Sequence, residues 1–285
     1  MFSSMPLKEV NSMGIKPIEY QPWKGKRTSY IQRVLVIIKN IFKNKITSGG
    51  IIALLIIGGL IAHFPNFLTL VFMPTKQLEP NMMINYFNNL TFYFFAIILG
   101  AVVTSDLISD DINSNSFVLY FSRPIKPINY LIGKYTGALL IISMFTLLPT
   151  FLYGVAAISL QSGSNYIDSL EILGLTILAG ILYSIVITGY GTMLSSFTEK
   201  KTYAGGGTFI SFIVTPSIGE IFSNFDYNWK LVNPMNLLNY SLRIIYGKDL
   251  PSRINSTLFG ALMILLIALP IVISLYRVHQ KAVGK

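Results

Sequence analysis

The chain has 285 residues, of which 52% are hydrophobic and 12% charged, and its mean hydropathy is +0.59. A soluble domain carries about 25% charged residues, so the composition excludes an ordinary soluble enzyme and points to a chain that crosses lipid repeatedly. There is no cysteine, which excludes disulfides, Cys-ligated metals and thiol nucleophiles.

The net charge of +10 is read from its position. Lys8, Lys16, Lys24, Lys26, Arg27, Arg33, Lys39, Lys43 and Lys45 all precede the first long apolar run. This is the positive-inside pattern, with attraction to anionic headgroups, rather than a nucleic-acid site. No signal peptide is visible, so the N-terminus is expected in the cytoplasm.

Residues 1–27, with Pro6, Pro17 and Pro22, read as an irregular cytoplasmic arm. Across residues 28–46, Ile31, Val34, Leu35, Ile38, Ile41 and Phe42 recur at helical spacing, and Arg33, Asn40, Lys43 and Asn44 take the opposite side. That predicts an amphipathic helix lying in the membrane interface, with Arg33, Lys39 and Lys43 towards the headgroups. The alternative, an extension of the first span, is disfavoured by Lys39, Lys43 and Lys45.

The fold class expected for residues 47–276 is an all-α polytopic membrane domain of six spans. Against the roughly 20 apolar residues that a bilayer requires, they fall at 48–73, 86–105, 128–159, 171–197, 204–222 and 255–276. His63 and Pro65 interrupt the first, and Pro216 and Gly219 bend the end of the fifth beside Glu220. Residues 231–246 suggest a short helix at the outer surface. Residues 277–285 form a cytoplasmic tail. Most Lys and Arg then lie inside, the exceptions being Lys76, Lys230, Arg243, Lys248 and Arg253.

Several chemistries are missing. There is no phosphate-binding G-x-x-x-x-G-K-[ST] loop; Gly205-Gly206-Gly207-Thr208 lacks its lysine and reads as a flexible start to span five. No H-E-x-x-H or G-x-S-x-G occurs, and His63 and His279 stand far apart. Gly189-Tyr190-Gly191 reads as a close-packing site between helices. The spans carry almost no ionisable residues, against a membrane enzyme or an ion-coupled carrier. No catalytic residue and no metal site is expected.

The remaining feature is the connection SDLISDDINSNSFVLYFS at 105–122. Asp106, Asp110 and Asp111 follow span two at helical spacing, which places Asp106 and Asp110 on one face. An apolar patch follows, with Phe117 and Phe121 expected at the surface. Arg123-Pro124 ends it, and Lys126-Pro127 resets the backbone into span three. One amphipathic helix clamped between two long spans would act as a lever, although a solvated loop with its caps has the same composition.

The run continuing to I-N-Y-L-I-G-K-Y resembles the corresponding connection of type 2 ABC transporter permeases. Asp110 and Asp111 match an acidic pair, Ser116 the Ser/Thr of a small-residue turn, Ser122-Arg123-Pro124-Ile125 a proline element, and Leu131, Gly133 and Lys134 the start of span three. Asn115 stands where that family usually has glycine; Asn tolerates the left-handed turn conformation.

The resemblance implies the permease subunit of an exporter in the plasma membrane, paired with a second permease, identical or homologous. It also implies two copies of a separate ABC ATPase that bind ATP and Mg²⁺. The 105–122 helix would couple to that ATPase, the acids pairing with its basic residues and Phe117 and Phe121 serving as buried anchors. The 28–45 helix would also touch it. The competing readings are a six-span membrane enzyme or accessory factor, and a secondary carrier.

Overall fold

The computed structural model describes residues 29–72, 77–122, 125–161 and 166–282. The arm at 1–27 and the residues Arg123 and Pro124 lie outside them. All regular elements among the described residues are helical.

Helix α1 (Tyr30–Ile46) starts at a reciprocal capping box, in which Ser29 and Gln32 satisfy one another's backbone N–H groups. Lys43 and Lys45 occupy its last turn, favourable for the helix dipole. The first span is built from α2 (Gly49–Gly58), a π-helical turn Gly59–His63 and α3 (Phe64–Phe72). Pro65 explains the irregularity, since its nitrogen cannot donate to the turn before it. Helix α4 (Pro80–Phe87) precedes α5 (Leu90–Thr104), which Asn89 caps by accepting from the Thr91 N–H at 2.9 Å. The expected second span therefore begins later than 86: Tyr86 and Phe87 belong to the helix before it.

Two five-residue helices follow, α6 (Ser109–Asn113) and α7 (Phe117–Phe121). The third span is α8 (Pro127–Thr146) running into α9 (Leu148–Leu160), broken at Leu147 where Pro149 removes a donor. Helix α10 (Tyr166–Ser195) is continuous over 30 residues. Helix α11 (Lys201–Phe222) contains Gly205, Gly206 and Gly207 inside its regular part, so the expected flexible start is ordinary helix. A 3₁₀ turn (Tyr227–Val232), α12 (Pro234–Ile245) and α13 (Ser256–Ala282) complete the chain; α12 is the short helix expected in the outer loop, and α13 extends well into the residues read as tail.

Among the described residues, five helical stretches are long and apolar enough to cross a membrane: Gly49–Phe72, Leu90–Asn113, Pro127–Leu160, Tyr166–Ser195 and Ser256–Ala282. The second is the most enclosed by the rest of the molecule, and the first and last the least. Helices α5, α8 and α10 thus form the centre, with α2–α3 and α13 on the rim.

One end of this centre is aromatic. His63 packs on Phe145 with ring centroids 4.5 Å apart, and its Nδ1 lies 2.8 Å from the Tyr86 hydroxyl. Phe87 stacks on Tyr183 at 5.2 Å and Tyr86 leans on Tyr153 at 4.8 Å. These rings bury large apolar areas and fix the helix spacing there. Further along, hydroxyls join the helices, with Thr146 and Ser184 2.6 Å apart. In lipid such bonds satisfy groups that have no water to turn to.

Candidate functional site

The 105–122 connection does not form the single helix expected. It folds back on itself at Asn115, whose φ of 52° makes it the one non-glycine residue in the left-handed region among the described residues. The Ser116 N–H reaches the Asp111 carbonyl at 3.0 Å and the Asn115 N–H reaches the Ile112 carbonyl at 3.3 Å. This pair of bonds around a left-handed residue is the Schellman termination of α6, and Asn is the usual substitute for Gly in it. Ser116 then caps the backbone of α7, its carbonyl accepting from the Tyr120 N–H at 3.1 Å. The Ser116 Oγ lies 2.7 Å from that of Ser114.

Below the turn, the acids divide. The Asp111 carboxylate accepts from both the Lys134 ammonium and the Tyr130 hydroxyl, and Lys134 also donates to the Leu107 carbonyl. Lys134 is only 4% exposed. Its ammonium sits 5.0 Å from the centre of the Tyr130 ring and 5.9 Å from that of Tyr120, where the ring faces add to its compensation. Burial, and then the Asp111 carboxylate, raise the Tyr120 phenol above its ordinary value, so it stays neutral. Asp106 pairs with Lys45, the last lysine of α1. Asp110 alone stays exposed. Two of the three acids expected to meet a partner are therefore neutralised within the chain, and Asp106 and Asp110 do not act as one face.

The aromatic expectation is likewise corrected. Phe117 is 6% exposed; it stacks on Phe121 with centroids 5.7 Å apart and leans on Tyr130 at 5.5 Å. The residues that α7 turns outward are Val118 and Leu119, 72% and 71% exposed. In a five-residue helix Phe117 and Phe121 share a face, and that face is the inner one because the rings bury more apolar area than the aliphatic pair.

Helix α1 joins the same node. A Cβ on Gly133 would lie 2.8 Å from Ile37, and one on Gly137 2.8 Å from Ile41, so this glycine pair lets α1 lie directly on α8. Tyr30 donates to Asn129 at one end of the contact, and Lys45–Asp106 closes the other. Lys39 and Lys43 are exposed and Arg33 is half-buried near Val34 and Asn129. Lys45, expected to hold α1 out in water, is buried by its partner. Ile31, Leu35 and Val36 remain exposed, while Ile37 and Ile41 carry the packing.

Sequence reasoning missed Ser195. Its hydroxyl accepts from the Ile108 and Ser109 N–H groups at 3.0 and 3.1 Å and donates to the Ser105 carbonyl at 3.0 Å. It caps α6 from the end of α10, 86 and 87 residues away in sequence, and no local signal marks it. Nearby, Gly191 admits the Thr104 side chain, the close packing read from Gly189-Tyr190-Gly191. An open groove of about 690 Å³ runs between Asp110, Asn113 and Ser114 on one side and Glu199, Lys200 and Lys201 on the other.

A helical bundle with five crossing-competent stretches, tied at one end by a braced two-helix turn, defines an integral membrane protein. The chain belongs to the ABC-2 family of transporter proteins, whose family model matches residues 35–282, from α1 to the end of α13. It is a type 2 ABC transporter permease, embedded in lipid; a permease of this family is a membrane subunit and not the ATPase, and membership implies an ABC ATPase as partner. No curated protein matches the chain.

Proposed function

We propose that the chain is the permease of an ATP-driven exporter and that α6–α7 is the element through which a separate ATPase drives it. Two copies of that ATPase bind ATP and Mg²⁺, and a second permease, identical or homologous, completes the pathway. The protein resides in the plasma membrane with both termini cytoplasmic. Helix α11 is the sixth span: its 22 residues reach about 33 Å at 1.5 Å per residue, enough for a hydrocarbon core of about 30 Å. Its Glu220 is paired outside with Lys230 at 3.3 Å. Helix α1 lies along the inner interface, with Lys39 and Lys43 towards headgroups and Ile31 and Leu35 towards acyl chains.

The observation that carries the coupling reading is the outward pair Val118 and Leu119 on an element otherwise locked to its own bundle. An exposed apolar pair beside a polar groove is a small docking surface, apolar at its centre with charge at the rim. Docking there would move α8 and α10 together with the end of α5, since Lys134 ties the segment to α8 and Ser195 ties it to α10.

The test is co-purification with the ATPase and ATP turnover in proteoliposomes for Val118→Ser/Leu119→Ser. Loss of the ATPase, with the melting temperature of the permease unchanged, is expected. Retention of both assembly and turnover overturns the assignment, as does labelling of Asp110→Cys by an impermeant thiol reagent from outside the cell.

A further inference from the structure

A groove of about 500 Å³ opens between the start of α8 and the last turns of α13, within the range of ligand sites, about 300–1,000 Å³. Ile128, Val272, Leu275 and Tyr276 form its walls, and Lys126 and His279 stand at its mouth. No carboxylate lines it among the described residues. Both ends are where an apolar helix meets polar chain: Lys126 is the N-cap of α8, and His279 lies in the last turn of α13. The mouth is therefore at the membrane surface and the walls run down into the hydrocarbon.

We propose that this groove binds an anionic phospholipid. One acyl chain lies against Ile128, Val272 and Leu275, and the phosphate accepts from the Lys126 ammonium and an N–H of His279. Basic pockets between membrane helices at the membrane surface take anionic headgroups in this way, and Tyr276 suits the interfacial level, where tyrosine is enriched.

Charge decides against the other occupants. A second protein helix seated in the groove would desolvate Lys126 with no carboxylate in the lining to compensate it, a cost that packing does not recover. A lipid phosphate neutralises the ammonium while leaving it hydrated, and the lysine stem extends along the apolar wall. The site stands apart from Val118 and Leu119, so it does not rest on the coupling reading. Helix α13 does touch α7, which brings the lipid close to the docking element.

The experiment is native mass spectrometry of the full chain, released from nanodiscs containing phosphatidylglycerol or phosphatidylcholine in turn. Retention of phosphatidylglycerol over phosphatidylcholine is expected. Lys126→Gln weakens it about fivefold, the worth of one basic residue at an anionic surface, and Lys126→Gln/His279→Gln removes the preference. Leu275→Trp, which fills the groove, displaces the lipid whatever its headgroup. Because Lys126 is exposed, the first variant leaves the fold intact and suffices if the tryptophan variant does not assemble. Equal retention of the two lipids, or unchanged retention in Lys126→Gln, overturns the proposal. So does a disulfide between Val272→Cys residues of two copies, which would show the groove covered by protein.

Discussion

Replacing Lys134 by methionine removes a buried ammonium and leaves its partners behind. The side chains of the Lys134–Asp111 pair are 5% and 14% exposed, against 10% and 31% for Lys45–Asp106. The first pair is therefore a buried ion pair and the second a partly wetted one. Breaking a buried pair from one side costs about 3–5 kcal/mol, because the remaining charge is stranded. Lys134→Met strands Asp111 and also leaves the Leu107 carbonyl without its ammonium donor, so the upper part of that range applies. Asp111→Leu strands Lys134 and costs a similar amount. The double variant strands no charge but leaves the Tyr130 hydroxyl and the Leu107 carbonyl without these partners, so it should lose about 2 kcal/mol, far less than the sum of the single losses. At ~2–4 °C per kcal/mol, each single variant should melt about 10 °C lower and the double only a few degrees lower, read by size-exclusion chromatography after graded heating. Lys45→Met should lose about 1 kcal/mol, as a partly exposed pair does. Additive losses in the double variant, or a Lys134→Met protein as stable as the parent, would refute the view that this pair is a closed electrostatic unit.

Gly137→Leu should overpack the α1–α8 contact by about 1–3 kcal/mol and release α1, checked by loss of a disulfide between Ile37→Cys and Gly133→Cys; Gly50→Ala, which meets open space, should be neutral or stabilising by up to about 1 kcal/mol. Phe117→Ala should destabilise by about 3–5 kcal/mol, whereas Leu119→Ala should leave the melting temperature unchanged, the reverse of the order expected if Phe117 faced the partner. Asn115→Gly should be tolerated, and Asn115→Val should cost about 1–2 kcal/mol for placing a branched side chain at positive φ, measured by the same heating series.

The sequence made the apolar stretches legible because a bilayer imposes one requirement, about 20 apolar residues, that needs no partner to recognise. Helix α1 was legible from its period, and the tolerance of residue 115 for the left-handed conformation from its being Asn. The inner pairing was not legible, since Lys45 finds Asp106 across 61 positions and Lys134 finds Asp111 across 23. A lysine near the end of an amphipathic helix looks solvated until the chain brings a carboxylate to it. The orientation of α7 was hidden for a different reason. FVLYF is apolar on both faces, so periodicity gives two faces but cannot choose the inner one; Tyr130 makes that choice from the next helix. Ser195 carried no signal because a hydroxyl at a helix end caps whatever backbone arrives there.

Internal pairing of the acids follows from the size of the element. Five-residue helices are far below the length at which a helix holds itself, about 12–15 residues even for good formers. Helices α6 and α7 persist only because other groups hold them: Ser195 at the start, the Asn115 turn in the middle, Lys134 and Tyr130 beneath, and the Phe117–Phe121 stack at the end. Each of these links ends on α8 or α10 or on the segment itself. Had Asp106 and Asp111 faced outward to a partner, the free permease would have lost two of its ties, and a push on α7 would have deformed the turn before reaching the spans. With the acids turned inward the turn is braced by the chain itself, and the segment leaves Asp110, Asn113, Ser114, Asn115, Val118, Leu119 and Ser122 exposed. If the proposed coupling holds, the residues that stiffen this segment and the residues a partner grips are different sets, separable by mutation: changes at Lys134 or Ser195 should lower stability first, and changes at Val118 or Leu119 should lower assembly alone.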